Sequence, residues 1–62
     1  MKRESYLRNW SIEDRGGWYI LVGEVFEDSR FPEGHRIQTS MLLNLNFEKS
    51  IAETKNTIYH LR

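Results

Sequence analysis

Residues 18–26 read WYILVGEVF, with aromatic or branched side chains everywhere except Gly23 and Glu24. Such a run is too short for a buried helix and too rich in β-formers to be a loop, so it predicts a strand covered on both faces. Gly23 in its middle predicts a bulge, or a place where another backbone or a large ring comes close.

Working back from Trp18, Asp14-Arg15-Gly16-Gly17 reads as a tight turn, because paired glycines accept the positive φ that hairpins demand. Before it the chain alternates. Tyr6, Arg8, Trp10 and Ile12 share one face, and Leu7, Asn9, Ser11 and Glu13 the other, which predicts a second strand. The two tryptophans flank this hairpin and are expected to pin its register by cross-strand packing. Residues 1–5 are polar and charged and are expected to fray, leaving 6–62 as a single β domain.

Working forward, residues 27–34 (EDSRFPEG) form the longest connection, with Pro32 and Gly34 marking a turn. Arg36 to Leu45 then alternates as one strand. Ile37, Thr39, Met41, Leu43 and Leu45 are its expected core face, with Leu42 an apolar outlier on the other. The stretch 46–50 breaks the pattern, and one short helical turn near residues 47–52 is the alternative to a plain turn. Strands at 51–54 and 57–61 complete the count. The fold class expected is all-β: a small, strongly twisted antiparallel sheet or SH3-like barrel of about five strands.

Composition narrows the function classes. Sixty-two residues make one domain, and a chain this short buries only about 60% of its unfolded surface. It has no cysteine, so neither disulfides nor thiolate zinc can stabilise it, and a homodimer or larger oligomer is the expected compensation. Nine basic residues balance nine acidic ones, which argues against nucleic acid as the partner. No apolar run approaches the ~20 residues of a membrane span, and MKRESYLRNW lacks the apolar core of a signal peptide. A soluble cytoplasmic protein is the expectation.

Candidate chemistry is thin. A nucleophilic serine needs a base within hydrogen-bond reach, yet His35 and Ser40 are about 17 Å apart along an extended strand. Glu24, Glu27, Asp28 and Glu33 cluster around the long connection, but without a sizeable cleft they read as solvated loop acids. Two histidines cannot hold a metal by themselves, and His60 beside Tyr59 reads as a half-exposed strand residue. The chain is therefore expected to carry no catalytic residue, no metal and no cofactor. What remains is a contact surface: Arg30, Phe31, His35 and Arg36 around the Pro-Gly turn, with Trp18 and Tyr19 in the neighbouring hairpin. Arginine and aromatic residues are the types that interfaces favour. A nucleic-acid-binding barrel and a clamp on a small anion between subunits are the alternatives.

The stretch from Trp10 to Leu61 resembles short, mostly uncharacterised β proteins of bacteriophages, prophages and gut bacteria. The features that carry the resemblance are NW at Asn9-Trp10, WYILVGEVF at 18–26, RFPEGHRIQTS at 30–40 and ETKNTIYHL at 53–61. It implies an accessory protein that binds a bacterial host protein in the cytoplasm. One such role is inhibition of an anti-phage defence system such as CRISPR or Hachiman. It carries over no site residue.

Overall fold

A computed structural model describes residues 2–62. The described residues form one six-stranded mixed sheet with no helix among them. Its strands are β1 (Arg3–Asp14), β2 (Tyr19–Phe26), β3 (His35–Gln38), β4 (Leu42–Asn46), β5 (Ile51–Thr54) and β6 (Thr57–Leu61). Their order is β3-β2-β1-β6-β5-β4. Two antiparallel meanders, β1-β2-β3 and β4-β5-β6, are joined where β1 and β6 run parallel, with Arg3 opposite Thr57 and Leu7 opposite Leu61.

The sheet is forced to curl. Edge strands β3 and β4 are linked by only Thr39-Ser40-Met41, a reach of at most about 14 Å. A flat six-stranded sheet would hold its edges about 24 Å apart. At the link, Thr39 is buried, and its N–H donates to the Leu21 carbonyl at 2.9 Å. Its hydroxyl oxygen accepts from the Leu21 N–H at 2.9 Å, and the hydroxyl donates to the Ser40 carbonyl at the same distance. The Met41 carbonyl accepts from Lys55 N–H at 2.9 Å. These bonds stop the expected ten-residue strand at Gln38 and restart it at Leu42, which is why there are six strands and not five.

Two bulges re-sort the faces read from alternation. In β1, Arg8 pairs with Glu24 and Ser11 with Val22, so Asn9 and Trp10 together oppose the single residue Gly23. Asn9 takes the left-handed conformation (φ 50°), which asparagine tolerates better than most residues. The extra residue turns Trp10 onto the face of Leu7 and away from that of Tyr6 and Arg8. A Cβ at Gly23 would lie 2.8 Å from Leu7 Cγ and 3.0 Å from Trp10 Cβ. Gly23 is thus the site of close approach, while the bulge itself lies in the strand opposite. In β4 the register slips between Leu42 and Asn44, so Leu43 faces solvent, while Leu42 and Leu45 pack on the core. The expectation for Leu42 and Leu43 is therefore reversed, and Met41 is exposed as well.

The core is Leu7, Leu21, Val25, Ala52, Tyr59 and Leu61, with Trp10, Phe31, Ile37, Leu42 and Leu45 packed around it. The frayed segment expected at 1–5 is corrected from Arg3 onward. Strand β1 begins there, and Ser5 is fully buried in the pairing with β6; Met1 lies outside the described residues. Residues 47–50 form a plain turn, closed by Ser50 N–H to the Phe47 carbonyl at 3.2 Å and Lys49 N–H to Asn46 Oδ1 at 3.0 Å. Helix formers in that stretch lose to the pairing of Asn46 with Ile51 on either side.

Gly23→Ala should cost about 1–3 kcal/mol through overpacking, lowering Tm by about 4 °C or more. Thermal melts followed by circular dichroism check it; an unchanged Tm would mean that Leu7 and Trp10 have room to retreat.

Candidate binding trough

The loop after β2 is organised by Asp28. Its side chain is only 6% exposed, and one of its oxygens accepts from the Ser5 hydroxyl at 2.8 Å. Arg30 grips it bidentately, Nε to Oδ1 at 3.1 Å and Nη2 to Oδ2 at 2.7 Å, and the Arg30 N–H adds a third bond to Oδ1 at 3.0 Å. These bonds hold the Asp28 carboxyl far below the ordinary carboxylate range, with Arg30 the main cause, against an opposing push from burial. Asp28 is therefore a buried hub of the loop, not the solvated acid expected. The other three acids are spent locally or left in solvent. Glu24 faces Arg8 at 3.6 Å, and Glu33 accepts from the N–H of exposed Glu27 at 2.9 Å.

Arg30, so fixed, stands over the Phe31 ring at 5.1 Å, and Phe31 stacks on His35 with centroids 5.7 Å apart and planes 9° from parallel. Phe31 also packs on the core, so the stack ties the loop to the sheet. Two open depressions share Arg30, Asn56 and Thr57 in their linings, and together they are the candidate trough. One part, 600 Å³, is bordered by Lys2 and Arg3. The other, 410 Å³, runs beside residues 35–40 with Tyr59 in its wall. Burial pushes the Tyr59 phenol above its ordinary pKa, with a hydrogen bond to Thr57 and the nearby Arg30 opposing.

The charge of this trough is one-sided. Lys2, Arg3, Arg30, His35 and Arg36 border it, and no Asp or Glu does. Lys2 is bound to Glu53 at 2.6 Å and Arg30 to Asp28, whereas Arg3 and Arg36 form no ion pair among the described residues. A chain of zero net charge thus carries a local surface suited to negative charge.

Of the six expected contact residues, the structure brings Arg30, Phe31, His35 and Arg36 together in the trough. It leaves Trp18 and Tyr19 elsewhere, half-exposed at the β1–β2 turn. There the Trp18 carbonyl accepts from Arg15 N–H at 2.7 Å, and Asp14 Oδ1 caps the amides of Gly16 and Gly17. Trp18 makes no aromatic contact with Trp10 among the described residues; the turn and the bulge set the hairpin's register instead. Lys2, Arg3, Asn56, Thr57 and Tyr59 were missed in the sequence. They reach the trough only through the parallel β1–β6 seam, which leaves no local pattern in the chain.

Catalytic alternatives gain nothing from the geometry. His35 and Ser40 line the same wall, yet no hydrogen bond joins them among the described residues. Among the described residues no three His, Asp or Glu side chains converge as a metal would need. His60 sits against Glu4 at 2.7 Å and stacks on Tyr6 at 4.9 Å. No described helix is long and apolar enough to cross a membrane. Comparison with known proteins finds no matching family model, no matching curated protein and no matching solved structure.

The lowered Asp28 value sets an acid dependence. An unfolded aspartate titrates near 3.9, so the stability Asp28 supplies is complete above that pH and is lost as pH falls toward the folded value. Urea midpoints of the wild type should fall between about pH 5 and about pH 2. The Asp28→Asn variant should start lower and show a shallower fall, and parallel curves would contradict the role given to Asp28.

Proposed function

We propose that this chain is a non-enzymatic binding protein whose contact surface is the trough between the edge of β3 and the β5–β6 turn. The observation that carries this is the one-sided lining, five basic or imidazole side chains with no carboxylate. The partner presents negative charge there. On the resemblance to phage and prophage β proteins, that partner is a bacterial host protein, met in the cytoplasm by a phage- or mobile-element-encoded inhibitor of a defence system.

The expected homodimer would use the opposite edge. Residues 40–47 carry no charge, and Met41, Leu43 and Phe47 are exposed at 38%, 52% and 70%. A two-fold interface sets a segment against itself, and an uncharged segment incurs no like-charge repulsion in doing so.

Two measurements test these surfaces. A tagged pull-down from bacteria carrying a panel of defence systems should recover a stoichiometric protein with the wild type and lose it with Arg36→Glu. Arg36 is exposed, so its variant should melt like the wild type; an equally efficient capture by both would remove the trough from consideration. Sedimentation should give a dimer for the wild type and a monomer for Leu43→Glu, and a wild-type monomer at every concentration would dismiss the dimer.

A further inference from the structure

We infer that the trough receives an extended acidic segment of the partner as an added strand on the free edge of β3, an inference that rests on the proposed binding role. Strand β3 ends the sheet and among the described residues pairs only with β2, so one side of its backbone has no strand partner there. Six consecutive residues, His35 to Ser40, line the same depression. Asn56, Thr57 and Tyr59 line the same depression, so β3 forms one side of an open hollow of 410 Å³.

An edge with open amides and carbonyls is a template for another extended chain. Main-chain hydrogen bonds then supply affinity, and alternate side chains supply selectivity. Strand β3 has four residues, His35–Gln38, about 13 Å of extended backbone, and matches about four residues of partner.

The side chains state the partner's pattern. Along β3, Arg36 and Gln38 are exposed on one face, while Ile37 on the other packs toward the core. An added strand would set an acidic residue beside Arg36, which has no ion-pair partner among the described residues. Its alternate positions would face the Ile37 side and are best filled by β-branched apolar residues. Arg3, at the far end of the trough, would meet a second acid. The segment is thus acidic and β-branched in alternation. A nucleic-acid strand fits less well, because its affinity comes chiefly from phosphate neutralisation, and the trough offers two cations not already paired.

The test uses the ¹⁵N-labelled full chain and the blocked hexapeptide Thr-Glu-Val-Glu-Val-Thr. Saturable binding should slow hydrogen exchange at the outward-facing amides of β3, those of Arg36 and Gln38, and leave the Thr39 amide, already bonded to the Leu21 carbonyl, unchanged. N-methylation of the alternate peptide nitrogens that face β3 should weaken binding about tenfold, as for loss of one or two backbone hydrogen bonds. Methylation of the other set should not. If both methylated peptides bind like the parent while Arg36→Glu abolishes binding, strand addition is overturned and the trough stands as a charge-only surface. If Arg36→Glu binds the peptide unchanged, the trough reading fails too. Binding of oligothymidylate in low salt without binding of the peptide would replace the proposal with a single-stranded nucleic-acid site.

Discussion

Everything in this fold depends on β1 serving two partners at once. It pairs antiparallel with β2 and parallel with β6, and among the described residues no other strand pairing joins the two meanders. A 62-residue chain cannot stabilise two separate three-stranded sheets, since neither would bury enough apolar surface alone. The seam merges them and seals Leu7 between β2 and β6, so that Leu7, Leu21, Val25, Ala52, Tyr59 and Leu61 form one core. The bulge at Asn9-Trp10 completes the seal: without the extra residue, alternation would send Trp10 to the face opposite Leu7. Gly23 is the space into which both side chains fit.

The same seam makes the candidate site. Parallel pairing lays Arg3 beside Thr57, so the start of the chain, the β5–β6 turn and the loop after β2 converge at one end of the sheet. Ser5 is the point where seam and loop are tied, because its hydroxyl holds Asp28 and Asp28 holds Arg30. Position and charge of the trough are therefore consequences of folding, not an addition to it. A substitution that loosens the β1–β6 pairing would disperse the trough as well as weaken the core.

The elements legible in the sequence are those with local causes. Period-two alternation and paired turn glycines place the first hairpin, β5 and β6, and the Pro-Gly turn with its arginines places four of the trough residues. Alternation fails where one residue is inserted or turned aside. At Asn9 and at Leu43 a bulge switches the face that the next side chains occupy, and at Thr39 a side-chain oxygen takes the place of a strand partner. None of these leaves a periodic trace. The polar residues from Arg3 to Ser5 look like part of a frayed end because their strand partner is β6, more than fifty positions away. Lys2, with its bonds to Glu53 and the Thr54 carbonyl, is hidden for the same reason.

The division of labour among the arginines decides what kind of recognition the trough can perform. Arg30 is neutralised by Asp28, so it adds little long-range field but offers a fixed fork of donors whose Nη1 has no partner among the described residues. Arg3 and Arg36 carry charge without an ion-pair partner among the described residues, and would attract an anionic partner over a distance set by salt. Were all three free, the surface would behave as a diffuse basic patch and attract any polyanion. Were all three paired, it would attract nothing. With one pinned and two free on either side of it, charge would bring the proposed partner in, and the stack of Arg30, Phe31 and His35 would decide whether it fits.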